Sequence, residues 1–458
     1  MPTHPPRNRA ETSLALAAGG ALAIPHFFPQ AWFSAWLGVL LLAWSLEGDA
    51  RPQVRVIRWF LACFVHELLA AHWIVGCARG HLGFDLALSW GVGFGEWGLY
   101  AALMTLAALP LLTLRRLPVW ASLPLSWILG EALVEATTGF GATELFMGQV
   151  GCPPLLRAIG QLGWELSLAA SLFACAGLAR SLHRRQVAWL VAPLAWGLLL
   201  AALPERAVPD EHVLRGVGVV QQADAQAPVE VDPELGLLVW PEGATGMEPR
   251  LEEGEQTPHV TLRRFATGGP AHLLGMGART ARGHLNAVAA VDALGGVRWV
   301  RGKSALVPLA ERDFLGLPSP SGAWSRGTEP PLVSVAGRRP IPLVCYEGFQ
   351  RHLALEGRVH GGDLLAVVAS DAPIAHSRVA LRQAEAALIL RAVELGVPAV
   401  RASLGGSALM VDAAGHVLAR GTPGVTAVLT WPGRDNAAVS ALALAVDHSG
   451  PRGLQETP

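Results

Sequence analysis

The distribution of apolar residues constrains this chain more than any motif does. Before Pro204 the sequence is a near-continuous succession of long apolar runs, at residues 11–28, 31–46, 57–77, 86–113, 118–136, 159–179 and 187–203. Several approach the roughly 20 residues that a helix needs to cross about 30 Å of hydrocarbon, and the shorter ones span where the bilayer thins. Seven such runs in a row exceed what the core of a soluble domain uses, so the first half is expected to lie in a membrane. Composition agrees: 52% of residues are hydrophobic, 16% are charged and mean hydropathy is +0.38, too apolar for an ordinary soluble protein. The first run is not read as a cleaved signal peptide, because six more follow it closely.

Loop charges give an orientation, since Lys and Arg accumulate on the cytoplasmic side. With the N-terminus inside, the inner segments hold Arg7, Arg9, Arg51, Arg55, Arg58, Arg115, Arg116, Arg180, Arg184 and Arg185, and the outer loops hold only Arg79 and Arg157. An odd number of spans then delivers everything after residue 204 to the extracytoplasmic side. Glu67, Glu96, Glu131 and Glu135 interrupt the apolar runs, and carboxylates at such depth are functional candidates. Net charge is −1, so no basic field argues for nucleic acid.

The second half reads differently. Short β-type runs at 213–221, 237–240, 273–278, 287–291, 297–300, 343–345 and 364–369, and a helical pattern at 378–396, predict an α/β layered domain. The expected division is a membrane domain at 1–204 with about seven transmembrane helices, a catalytic domain at 212–432 and a polar tail at 433–458. The five cysteines are spaced neither for a zinc site nor for a disulfide framework. Only Cys345 belongs to the second half, which makes it a candidate for reactivity. No metal or cofactor is implied.

One residue stands apart. Lys303 is the only lysine among 458 residues, and the other 34 basic residues are arginine. A compact ammonium and a planar guanidinium are not interchangeable, so this position is expected to be one where the larger group fails. Lys303 follows one predicted strand, Glu242 follows another in Leu238-Val239-Trp240-Pro241-Glu242, and Cys345 ends a third. Sites in layered α/β domains collect at strand ends. A thiol, a carboxylate and a cation form a plausible set for nucleophilic catalysis.

With these neighbours, Glu242, Lys303 and Cys345 resemble the Glu-Lys-Cys triad of the nitrilase (carbon–nitrogen hydrolase) superfamily. Together with the membrane half the chain is similar to that superfamily's membrane-bound branch, the apolipoprotein N-acyltransferase family. The matching segments are Trp240-Pro241-Glu242, Lys303 through Leu306-Val307-Pro308 to Glu311, Trp324-Ser325-Arg326-Gly327, Cys345-Tyr346-Glu347 and Arg391-Ala392-Val393-Glu394-Leu395. The resemblance implies a multi-span helical membrane domain carrying an αββα four-layer sandwich. It also implies Cys345 as nucleophile, Glu242 as base and Lys303 as oxyanion support, with Glu311, Glu347, Tyr346 and Trp240 as supporting residues.

The implied reaction moves an acyl chain from a membrane phospholipid, through a Cys thioester, to the N-terminal amine of a diacylglyceryl-cysteine apolipoprotein at the bacterial inner membrane. Loops at 243–272 and 312–340 are expected to cover the site, with Phe314, Leu315, Leu317 and Trp324 offered to acyl chains. The chain departs from the family at three places. It reads Ser370-Asp371-Ala372-Pro373-Ile374-Ala375 where Asn-Asp-x-Trp-Phe-Gly is usual, and Arg401-Ala402-Ser403-Leu404-Gly405-Gly406 where an asparagine is common. Its last apolar stretch, 437–446, is too short for the usual final span. A membrane-tethered amidase or hydrolase with the same triad, and an inactive scaffold of the same fold, remain alternatives on sequence alone.

Overall fold

The computed structural model describes residues 6–47, 51–114, 117–138, 144–205 and 211–431, the last stretch with gaps at 245–261, 263–264, 266–267, 282, 315, 317, 320–321, 323 and 328–333. The first half is helical: α1 (Pro6–Phe27), α2 (Phe33–Glu47), α3 (Pro52–Ala70), α4 (Ile74–Gly80), α5 (Leu86–Thr113), α6 (Val119–Thr138), α7 (Pro153–Leu162), α8 (Trp164–Arg184) and α9 (Val191–Ala202). Leu86–Thr113 and Trp164–Arg184 are each long and apolar enough to cross a membrane, and α3 with α4 would make a third crossing, bent by 48°.

Two apolar runs that read as continuous are interrupted. Gly163, at φ +86°, ends α7 and lets α8 start in a new direction, a conformation that a β-carbon disfavours. Between α3 and α4 neither glycine nor proline intervenes. Instead side chains satisfy the carbonyls freed by the break: Gln383 Nε2 donates to Ala70 O at 3.0 Å, Trp97 Nε1 to Ala71 O at 3.3 Å, and His376 Nε2 lies 3.2 Å from Trp73 O. Two of those three come from the second half, a dependence that no local pattern reveals.

Polar groups in the helical half turn inward. Arg58 is fully buried, bonded to Ser45 O at 2.6 Å and to Glu11 at 2.8 Å. Glu67 and Glu131 are buried, and Glu96 and Glu135 half-buried. Glu131 accepts from the Trp127 indole and the Leu145 amide, both at 2.9 Å, while Glu135 lies 3.6 Å from His352 of the second half.

After the short helix α10 (Glu211–Leu214) the strands are β1 (Val217–Gln222), β2 (Leu237–Trp240), β3 (Ala271–Thr280), β4 (Gly283–Val291), β5 (Val297–Gly302), β6 (Pro340–Val344), β7 (Leu364–Ser370), β8 (Ala399–Leu404), β9 (Leu409–Val411), β10 (Val417–Arg420) and β11 (Ala427–Thr430). Helix α11 (Arg351–Val359) precedes β7 and α12 (Arg378–Leu395) follows it. Residues 213–214, expected in a strand, lie in α10. Cys345, expected to end a strand, begins a 3-10 turn instead.

The described strands form one hydrogen-bonded sheet folded on itself. One leaf runs β11-β1-β2-β3-β4-β5 and the other β6-β7-β8-β9-β10, with β1 and β8 joined only at Gln221↔Ser403 and Gln222↔Leu404. β1, β2 and β3 are mutually parallel, as are β6, β7 and β8. Between the leaves lie Val239, Leu273, Val288 and Ala290 against Val344, Ala366, Val368 and Ala402. The outer face of the second leaf packs under α11 and α12, whose apolar residues continue into Phe146, Leu155 and Ile159 of the helical half. Leu262 and Phe265 cover the first leaf's outer face, and most of the loop 243–272, expected to cover the site, lies outside the described residues.

Candidate active site

The expected triad comes from three separate strand ends. Glu242 follows β2, Lys303 follows β5 and Cys345 follows β6, and a fourth end, Ser370 of β7, joins them. Parallel pairing of β6 with β7 brings Val344 level with Val368, so the two strands deliver Cys345 and Ser370 to the same edge.

Glu242 is held from both sides. Its Oε1 accepts from Asn286 Nδ2 at 2.6 Å and its Oε2 from the Ser370 amide at 2.9 Å. The backbone there passes so close to β3 that a β-carbon at Gly275 would lie 2.6 Å from Glu242 Cα, so glycine is required. Asn286 also donates to Glu311 Oε1 at 2.8 Å, and Lys303 Nζ lies 2.9 Å from that oxygen and 2.8 Å from Oε2. The Val307 amide fixes Oε2 at 2.8 Å. Lys303 is 1% exposed. Burial works against its charge, but Cys345, Glu311 and Glu242 outweigh it and hold the ammonium above the ordinary lysine value.

Cys345 is half-buried and adopts φ +51°, the left-handed region that a β-carbon makes unfavourable. The turn thrusts Sγ out of the strand line, 3.8 Å from Ser370 O. Burial, reinforced by Glu242, pushes the thiol up despite the opposing pull of Lys303. A base must therefore take the thiol proton before attack.

The supporting residues divide by role. Glu347 is fully buried; it pairs with Arg301 at 2.5 and 3.1 Å and accepts from the amides of Ser304 at 2.7 Å, Ala305 at 3.2 Å and Val344 at 2.9 Å. It thereby ties the Lys303 loop to the strand that carries Cys345. Despite burial, Arg301 and these donors keep its carboxyl below the ordinary range. Tyr346 donates its hydroxyl to Thr138 O at 2.8 Å, linking the Cys345 turn to the end of α6. Trp240 bonds His272 Nδ1 at 3.1 Å within the outer core of the first leaf, an anchoring contact.

Of the apolar substrate candidates, Phe314 is half-buried under the Arg312 guanidinium, 5.5 Å away. Trp324 is half-buried beside His284 and its amide donates to Glu311 O at 3.0 Å. Leu315 and Leu317 lie outside the described residues.

Sequence reasoning missed Asn286, which bridges two carboxylates, and Arg301. The signal for Asn286 is a lone amide in the apolar strand Leu285-Asn286-Ala287-Val288-Ala289. The two segments that depart from the family pattern also meet, through residues that keep it: Asp371 and Arg401 form a buried ion pair.

This is an α/β domain with a thiol site, carried on a helical region with apolar membrane-length helices. The chain is similar, at low identity, to the apolipoprotein N-acyltransferases. It is 24% identical to that enzyme of Allorhizobium ampelinum, covering 89% of this chain and 87% of the relative, and 26% identical to that of Brucella melitensis, covering 88% and 77%. A shorter match to that of Rhizobium meliloti is 33% identical over 147 residues, 29% of this chain and 27% of the relative. No family profile matches the chain. Among solved structures, a carbon-nitrogen hydrolase from Helicobacter pylori aligns at 14% identity and TM-score 0.35, covering 45% of this chain and 85% of that one, and an amidase from Nesterenkonia sp. at 19% and 0.33, covering 46% and 87%.

Proposed function

We propose that the protein is an N-acyltransferase of lipoproteins. It would take an acyl chain from a membrane phospholipid and pass it through a Cys345 thioester to the amine of a diacylglyceryl-cysteine. The observation that carries this reading is the arrangement of Cys345 on its strained turn with Lys303, Glu242 and Glu311, two carboxylates fixed by one asparagine.

In the first half-reaction Glu242 accepts the Sγ proton as sulfur bonds to the ester carbonyl carbon. Lys303 holds the oxyanion, the ester C–O bond breaks, and Glu242 returns the proton to the departing lysophospholipid alkoxide. In the second, the amine nitrogen bonds to the thioester carbonyl carbon, Glu242 takes the amine proton, the C–S bond breaks and Glu242 returns that proton to sulfur, restoring the thiol and the carboxylate. Glu311 keeps Lys303 aligned, and Glu347 keeps the Lys303 and Cys345 segments in register.

Both substrates are amphiphiles, which explains why a catalytic domain at 212–432 is joined to a membrane domain at 1–204. Seven crossings with the N-terminus in the cytoplasm would set the site on the outer side of the inner membrane, with Phe314, Leu317 and Trp324 beside the acyl chains. The polar tail at 433–458 lies outside the described residues.

The test is transfer by purified full-length protein from a labelled phospholipid to a synthetic diacylglyceryl-cysteine peptide. Labelled triacylated peptide is expected. Release of labelled fatty acid alone, with no amide product, would assign hydrolysis instead.

A further inference from the structure

At the end of β7 a single residue touches both partners of the proton transfer. The Ser370 amide donates to Glu242 Oε2 at 2.9 Å and its carbonyl lies 3.8 Å from Cys345 Sγ. Both contacts depend on the orientation of the peptide planes on either side of Ser370, the last residue of its strand. The ladder with β8 ends at the Ser370↔Leu404 pair, so the constraint beyond it must come from the next residue.

Asp371 does so through a closed network. Its amide donates to Leu404 O at 2.8 Å. Its carboxylate receives both arms of the Arg401 guanidinium, one at 2.7 Å, and the Ser403 hydroxyl at 2.6 Å. The side chains are 2% and 6% exposed. Ser403 Oγ in turn accepts from the Gly406 amide at 3.1 Å, and Arg401 donates to Ser407 O at 3.2 Å. Gly406 presses against the Asp371 carboxylate, leaving no room for a β-carbon. A bidentate pair of this kind fixes direction as well as distance.

We propose that the Asp371–Arg401 pair, with Ser403, is a positioning unit for acyl transfer: it locks the Ser370 peptides so that Glu242 and Cys345 face each other. Neither residue touches the reacting atoms. The kinetic consequence rests on the acyl-transfer reading, whereas the anchoring itself does not.

The test combines hydrogen exchange and single-turnover acylation on full-length protein in detergent. Asp371→Asn keeps the side-chain volume and removes the charge. It is expected to slow acylation at saturating phospholipid by about 100-fold, the scale of a small misplacement of reacting groups, with half-saturation unchanged. Ser403→Ala, a gentler change retained in case Asp371→Asn fails to fold, is expected to slow it about 10-fold, the scale of one hydrogen bond to a charged group. In each folded variant the Ser370 and Asp371 amides should exchange at least several-fold faster while those of Leu365 to Val368 stay protected. Arg401→Lys, which retains the charge without the fork, should fall between wild type and Asp371→Asn.

Unchanged exchange at Ser370, or faster exchange with an unchanged acylation rate, would overturn the proposal, as would a change confined to half-saturation. If wild type itself takes no acyl label, the acyl-transfer reading fails, and selective exchange at Ser370 and Asp371 still decides the anchoring.

Discussion

The two halves of the molecule place their polar and apolar surfaces in opposite ways. In the helical half Val191, Leu194 and Leu198 of α9 and Phe94 and Leu106 of α5 are exposed, while Arg58, Glu67 and Glu131 are buried. In the sheet half the large apolar residues are inside, and among the described ones only Leu294, Val359 and Val417 are prominently exposed. A surface of the first kind is unfavourable in water and ordinary in lipid. The difference teaches that one continuous apolar core, running from the bundle through α12 into the second leaf, joins two parts built for different solvents.

The comparison can be broken at several points. The largest effect is expected at the buried pair of the sheet half: Glu347→Gln leaves Arg301 unpaired and should destabilise the protein by about 3–5 kcal/mol, read by denaturant unfolding of the full chain. The same pair sets an acid limit. Because the folded Glu347 carboxyl is depressed, its contribution is complete above the unfolded value of about 4.3 and is lost as pH falls below it. Wild type should therefore lose stability below about pH 4 more steeply than Glu347→Gln. Parallel pH dependences would show that the pair contributes nothing.

Next comes Lys303→Arg. It should reduce acyl transfer about 10²- to 10³-fold, the scale of losing one oxyanion contact, because a guanidinium has no space between Glu311 and the Cys345 turn. Activity within a factor of about two of wild type would mean that the single lysine is compositional accident.

Leu273→Ala, in the core between the leaves, is expected to lower stability by about 3 kcal/mol, and a change below about 0.5 kcal/mol would contradict the packing described. Smallest of all is Leu198→Ser on α9, 71% exposed. It should alter detergent-state stability by less than about 0.5 kcal/mol yet reduce the fraction of protein that resists alkaline extraction from membranes. A large loss of stability in detergent would instead place Leu198 in a protein core.

The contrast between the halves was legible in the sequence because it rests on composition summed over long windows. The residues Glu242, Lys303 and Cys345 were legible because proline, a unique lysine and a lone cysteine mark their strand ends. What escaped is information that only tertiary contact carries. The break after Ala70 leaves a carbonyl that Gln383, more than 300 positions away, satisfies. Asn286 looks like an isolated polar residue until Glu242 and Glu311 converge on it. Asp371 and Arg401 sit in segments that otherwise depart from a familiar pattern, and their ion pair, between the residue after β7 and β8, appears only in the folded chain. The strained φ of Cys345 has no local signature, since neither a glycine nor an asparagine stands at 345 or beside it.

The proposed reaction has the Cys345 thiol of the sheet half take its acyl group from a membrane lipid. The direct measurement is peptide mass spectrometry of the full-length protein after incubation with a phospholipid of defined acyl chain. One acyl mass is expected on the peptide containing Cys345, removable by hydroxylamine and absent from Cys345→Ala. An adduct that persists in Cys345→Ala, or wild-type protein that releases fatty acid without ever carrying the acyl group, would contradict the account.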